Sequence, residues 1–247
     1  MLEKFINKAC ENSLFAAVFS HLLHLPSQLF WRILSKACYT ANLGNYPGEP
    51  LIFSFRPKWN PAGTTNVTYV EPDFFVRFAD FDLIIEAKIA KAGTQSRDQW
   101  RKELIAYTNE YGKDKRSVRM IALGGIHSED DVPLPHTWRE SATESGSVSG
   151  DSHQFNCPVH MCQWSTVLLE CQRLKRELEE ANTINPSSQT YAHIRILNDL
   201  TLFFEEHEYP ALKWFADFDF KPNLLDISVD SDQQYFQNVS LKFRSLL

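Results

Sequence analysis

Glycine is scarce in this chain, 9 of 247 residues, alongside 12 prolines and 3 methionines. That excludes a collagen-like repeat and a Gly/Pro-rich low-complexity chain. No heptad pattern is sustained, which excludes a coiled coil. Cysteine is sparse, odd in number and scattered, at Cys10, Cys38, Cys157, Cys162 and Cys171. Such usage suits a reducing compartment and not a disulfide framework. Long apolar runs are missing too. The longest stretch without Asp, Glu, Lys or Arg, from Asn12 to Trp31, carries His21, His24, Pro26, Gln28 and three serines. It would sit poorly in hydrocarbon, and no small-residue cleavage site follows it. The expectation is a soluble, cytoplasmic chain with no membrane partner. The phosphate-loop pattern is also missing: Leu123-Gly124-Gly125-Ile126 has no following Lys-Ser/Thr. Nor is there a Gly-x-Ser-x-Gly nucleophile elbow.

What is present is ordinary core material, 43% hydrophobic and 13% aromatic residues. A chain of this size buries about 70–75% of its unfolded surface and folds without disulfides or structural metals. The net charge of −6 argues mildly against nucleic acid as a partner. Its distribution argues the other way. Between Lys88 and Arg119 lie nine basic residues against four acidic ones, a local charge of +5. Such a stripe is able to track a phosphate backbone, although charge alone favours solvated helix and loop charges.

The apolar periodicity predicts a helix over residues 2–24 and, after Pro26, a second over Ser27–Thr40 with Ser27 as N-cap. Loops rich in Pro and Gly span 42–50 and 56–66, around a short strand at 51–55. Two apolar runs, 68–78 and 81–89, read as a hairpin. A helix over 94–111, closed by Gly112, leads to a strand at 117–123. Residues 128–154 are rich in Ser, Gly, Asp and Glu and read as a mobile insertion. A last strand over 158–164 precedes a helix capped by Ser165 and running to about Ala181, then another over 189–207. Residues 208–247, where aromatics alternate with acids, read as an extension packing on the core or on a partner. The order predicts an α/β fold, a mixed sheet with helices against it.

The hairpin holds the residues that carry chemistry. Alternation puts Ile84, Glu86 and Lys88 on one face of the second strand and Leu83, Ile85 and Ala87 on the other. A carboxylate and an ammonium thus project from an otherwise apolar strand, which is costly unless they serve each other, a metal or a substrate. A two-residue turn at Ala79-Asp80 sets Asp73 directly opposite Glu86, with Cβ atoms about 5 Å apart. Two carboxylates at that distance repel unless a cation lies between them. An oxygen-only donor set suits Mg²⁺ or Mn²⁺. On an exposed sheet face, the same three residues would be only an ion-paired patch.

The pattern Pro72-Asp73, a gap of twelve residues, then Glu86-Ala87-Lys88, followed by a helix, resembles the PD-(D/E)xK nuclease superfamily with its restriction-endonuclease-like fold. The element order matches over roughly residues 1–181, and the individual residues over about 71–107. The resemblance implies a restriction-endonuclease-like mixed central sheet flanked by helices, forming a domain over 1–207. It implies that Asp73, Glu86 and the Ala87 carbonyl hold Mg²⁺ or Mn²⁺. Lys88 would activate or orient the attacking water and stabilise charge at phosphorus. Glu11, on a stripe shared with Phe15 and Phe19, stands for the acid that many members place on the first helix. Some relatives carry Gln-x-x-x-Tyr on the helix after the Lys. Here that reads Glu103-x-x-x-Tyr107, with Gln99 a turn earlier, a departure that leaves the helix's role open. Arg97, Gln99, Arg101 and Tyr107 are its candidate nucleic-acid contacts.

The function expected from this reading is metal-dependent hydrolysis of phosphodiester bonds, with DNA as substrate, in restriction, defence or DNA processing. The other reading is a catalytically silent or partner-dependent subunit of the same fold, bound to nucleic acid, a partner protein or a second copy. A second cluster, His153, Cys157, His160 and Cys162, has zinc-ligand residue types, but its spacing fits buried apolar cysteines better.

Overall fold

The computed structural model describes residues 11–39, 43–89, 94–126, 138–140 and 155–207. All fall in the first of two compact units, Met1–Ala211. Residues 208–247 lie outside the described residues, as do Cys10, His153 and most of 128–154.

Helix α1 (Glu11–Leu22) repeats apolar residues at helical spacing, and Leu14, Phe15, Val18, Phe19 and Leu22 are all buried. Its predicted first turns, before Glu11, lie outside the described residues. Pro26 then serves as the N-cap of α2 (Ser27–Ala37), which buries Phe30, Trp31, Ile33, Leu34 and Ala37. Ser27 is the first residue of that helix and not its cap. Its hydroxyl bonds the Tyr46 hydroxyl at 2.6 Å, a tertiary partner that wins over the local helix amides.

The sheet has five strands: β1 (Ile52–Phe55), β2 (Phe74–Arg77), β3 (Phe81–Ala87), β4 (Ser117–Leu123) and, last in the chain, a strand at Val159–Cys162. In space their order is that of the chain. β1, β2 and β3 form an antiparallel meander, whereas β3, β4 and the last strand run parallel, so the sheet is mixed. Parallel neighbours need a crossover, and α3 (Arg97–Tyr111) supplies the one between β3 and β4. β2 is shorter than the predicted 68–78 run. Residues 68–73 approach as loop, held by the Trp59–Val70 bridge and by the Arg56 amide, which donates to the Asp73 carbonyl at 3.0 Å.

Two short strands, β5 (Trp138–Glu140) and β6 (Phe155–Cys157), pair with each other, so the region expected to be a mobile insertion contains at least one ordered strand. The Val159–Cys162 strand is therefore β7 in chain order. After it come α4 (Trp164–Ile184) and α5 (Ser188–Glu206). The cap of α4 is Gln163 and not Ser165: Thr166 Oγ1 accepts the Gln163 amide at 3.1 Å.

Every residue of β3 is buried, because helices cover both faces of the sheet. Leu83, Ile85 and Ala87 pack with residues of α1, α2, α4 and α5 in one apolar cluster. Ile84 packs with Trp100, Leu104 and Tyr107 of α3 in the other. The face of β3 that carries the charged residues is therefore the face that α3 covers. No helix among the described residues is long and apolar enough to cross a membrane.

Candidate active site

The hairpin register is Phe74↔Ile85, Phe75↔Ile84, Val76↔Leu83 and Arg77↔Asp82, closed by a bond from the Phe78 amide to the Phe81 carbonyl at 2.9 Å. Ala79 and Asp80 form the two-residue turn. One step beyond the ladder, Asp73 stands across from Glu86, and its Oδ2 accepts the Ala87 amide at 2.8 Å. Lys88 Nζ donates to Glu86 Oε1. Gln99 Nε2 donates to the same oxygen at 2.5 Å. With 1% of its surface exposed, Glu86 is no part of a solvated surface patch.

α3 lays one row of side chains along the charged face of β3. Gln99 meets Glu86, Glu103 faces Glu86 one turn on, and Tyr107 reaches Asp82 a turn further. The sequence reading puts Glu103 on this helix face with Gln99 and Tyr107 but assigns it no role against Glu86. The Glu103 side chain is 1% exposed, and neither carboxylate oxygen has a donor in good hydrogen-bond geometry, its polar neighbours being Glu86 and Gln99. Glu86 Oε2 is also buried without a donor. Two facing carboxylates have no proton to share while both are ionised. Burial, then the charge of Glu86 and that of Asp73, therefore hold the Glu103 carboxyl well above the ordinary carboxylate range.

Main-chain anchors set these positions. Gln95, which the sequence reading passed over, is buried at the start of the crossover. Its Nε2 donates to the Glu86 carbonyl at 3.0 Å and the Gly124 carbonyl at 3.2 Å, and its Oε1 accepts Trp100 Nε1 at 2.9 Å. It ties the ends of β3 and β4 to the first turn of α3, and so fixes where Gln99 and Glu103 stand. Trp164 Nε1 donates to the Lys88 carbonyl at 3.0 Å, and the Lys88 amide donates to the Leu123 carbonyl at 2.8 Å. Gly124, at φ +68°, makes this possible: a Cβ there would lie 2.2 Å from the Lys88 carbonyl oxygen.

Two cavities flank the acids. A polar cleft of about 530 Å³ includes Gln99, Glu103, Lys102 and Tyr69 in its lining. An apolar one of about 280 Å³ is lined by Phe15, Ala16, Ser20, Phe55, Arg56 and Asp73. Arg56 lines both, ion-pairs with Glu71 and holds a left-handed backbone at φ 48°. Strained conformations of this kind cluster at functional sites.

The other expected residues fall in different places. Tyr107 is 5% exposed and donates its hydroxyl to Asp82 Oδ2 at 2.9 Å, so it is an interior residue and not a surface contact for nucleic acid. Asp82, fully buried, also takes Arg77 at 2.7 Å and Arg116 at 3.2 Å, a structural ion network that the sequence did not announce. Arg116 is thereby turned inward, and Arg119 stacks on the Phe81 ring at 3.9 Å, so two members of the basic stripe serve the fold. Arg97 and Arg101 lie exposed on α3. Glu11 is the first residue of α1; its side chain is outside the described residues. Of the second cluster, Cys157, His160 and Cys162 are buried, and burial pushes the Cys157 thiol up to about 12.

Comparison with known proteins finds no matching family model, no matching curated protein and no matching solved structure. The site has to be read from its own chemistry.

Proposed function

We propose that the chain is a Mg²⁺- or Mn²⁺-dependent nuclease of the PD-(D/E)xK kind, with a restriction-endonuclease-like sheet. The observation that carries this reading is Glu86 Oε2, buried and without a partner, beside a second carboxylate across the hairpin and a lysine two residues on. A buried carboxylate oxygen with no donor costs several kcal/mol. A hard cation removes that cost, and the donors here are all oxygen, as Mg²⁺ and Mn²⁺ prefer. Among the described residues no three His, Cys, Asp or Glu side chains already converge on one point. The proposed holders are Asp73, Glu86 and the Ala87 carbonyl, with coordination left for water and phosphate.

When bound, the cation would polarise the phosphoryl oxygens and offset charge at phosphorus. Asp73 is oriented by the Ala87 amide. Glu86 is held at Oε1 by Lys88 and Gln99, which leaves Oε2 as its ligating atom. Lys88 would position the attacking water and stabilise the negative charge that develops in line. The exposed Arg97 and Arg101, with Gln99, would carry the backbone of a nucleic acid, DNA in this proposal.

The test is cleavage of DNA and RNA with Mg²⁺ or Mn²⁺ by the wild type and by Asp73→Asn, Glu86→Gln and Lys88→Met. Loss of at least a hundredfold in each variant is the expected result. Full activity in all three overturns the proposal.

A second reading, a silent or partner-dependent subunit, is favoured by edge strand β1, where Ile52 is 49% and Phe53 is 53% exposed. Persistent inactivity alone, together with stable co-purification of another chain, would support it.

A further inference from the structure

The position that the resemblance fills with a glutamine or leaves open carries a carboxylate here, and its surroundings give it a purpose. We infer that Glu103 is a third carboxylate ligand of the cation and that α3, not the hairpin alone, completes the site. This rests on the reading of Asp73 and Glu86 as a cation site.

Three observations converge. Glu103 is 1% exposed, and among the described residues neither of its oxygens has a donor in good hydrogen-bond geometry, its polar neighbours being Glu86 and Gln99. An ionisable group of this kind is retained in an interior only with a partner or with a function. Its neighbours are Glu86 and Asp73, the two acids already read as ligands. Lys88 and Gln99 both occupy Glu86 Oε1, so the unpartnered Oε2 and the two oxygens of Glu103 make up the open donor set. Charge agrees. With Glu103 ionised on cation binding, Asp73, Glu86 and Glu103 against Lys88 leave two negative charges, which one divalent cation neutralises.

The competing explanation is a protonated Glu103 donating a hydrogen bond to Glu86, a purely structural pair. A glutamine mimics that protonated acid, because its amide N–H also donates to Glu86. It is a much poorer ligand for a hard cation than a carboxylate.

The experiment measures Mn²⁺ binding by calorimetry and by electron paramagnetic resonance in the full chain, for wild type, Glu86→Gln, Glu103→Gln and Glu103→Asp. Metal-free thermal midpoints serve as the check on folding. We expect Glu103→Gln to weaken Mn²⁺ at least tenfold, as Glu86→Gln does, while its metal-free midpoint equals or exceeds that of wild type. Glu103→Asp, which keeps the charge, should retain part of the affinity. Wild-type affinity in Glu103→Gln overturns this inference and leaves the hairpin site standing. No Mn²⁺ binding by the wild type ends both.

Discussion

Asp73 Oδ2 reaches across the hairpin to accept the backbone amide of Ala87 at 2.8 Å. The acid just before β2 thereby orients the backbone between Glu86 and Lys88 at the end of β3. The carboxylate has a structural partner and a proposed chemical one, and two substitutions separate them. Asp73→Ala leaves the Ala87 amide without that acceptor, at a cost of about 1–3 kcal/mol. Asp73→Asn keeps an acceptor oxygen, so it should stay within about 1 kcal/mol of wild type while losing Mg²⁺-dependent cleavage. Urea denaturation of both variants beside a cleavage assay checks this. Equal stability loss in both would contradict it.

Glu103 predicts a pH dependence. Its carboxyl sits above the ordinary value when folded, so between that value (about 4.3) and the raised one the folded chain binds more protons than the unfolded chain. Stability from this group is therefore lost as pH rises through that window. Glu103→Gln has no such loss. Without metal, the stability gap in favour of Glu103→Gln should be small at pH 5 and larger at pH 8. A gap that is constant, or that shrinks with pH, would refute the assignment.

Tyr107→Phe removes the 2.9 Å bond to a buried carboxylate that keeps two arginines. The expected cost is about 1–2 kcal/mol. Asp82→Ala strands both arginines and the phenol at once, and should cost about 3–5 kcal/mol. Chemical denaturation distinguishes the two. A Tyr107→Phe variant as unstable as Asp82→Ala would show that the phenol does more than this bond.

Gly124→Ala places a methyl group 2.2 Å from the Lys88 carbonyl oxygen and 2.8 Å from the Trp164 ring, at a positive φ. Neither backbone nor indole has room to yield. We expect a loss of several kcal/mol. Cleavage should fall beyond what the unfolded fraction explains, because the carbonyl that would move belongs to Lys88. Activity proportional to the folded fraction would separate Gly124 from the site.

The hairpin was legible in the sequence because its determinants are local. A two-residue turn and strict alternation set the register from Phe74↔Ile85 to Arg77↔Asp82, and with it the opposition of Asp73 and Glu86. Helix caps were less legible. Ser27 and Ser165 are good capping residues, yet Pro26 and Gln163 hold the cap positions, because Tyr46 and Thr166 offered competing partners.

The row Gln99, Glu103, Tyr107 was visible as one face of a helix, but periodicity does not say what a face will meet. Packed on β3, the row divides: Gln99 and Glu103 meet Glu86, while Tyr107 goes to Asp82 in the core. Gln95, too, reads as an ordinary polar residue until the ends of β3 and β4 close around it.

From the sequence alone came the mixed α/β class, the paired strands, the pair Glu86 and Lys88 on one strand face and Asp73 across from it, since each follows from period, turn length and side-chain type within a few residues. Only the tertiary structure decided that this face is dry, that a third carboxylate stands over it and that a glycine clears space for the Lys88 carbonyl. Those depend on where α3 and α4 dock, and docking is set by packing between residues far apart in the chain.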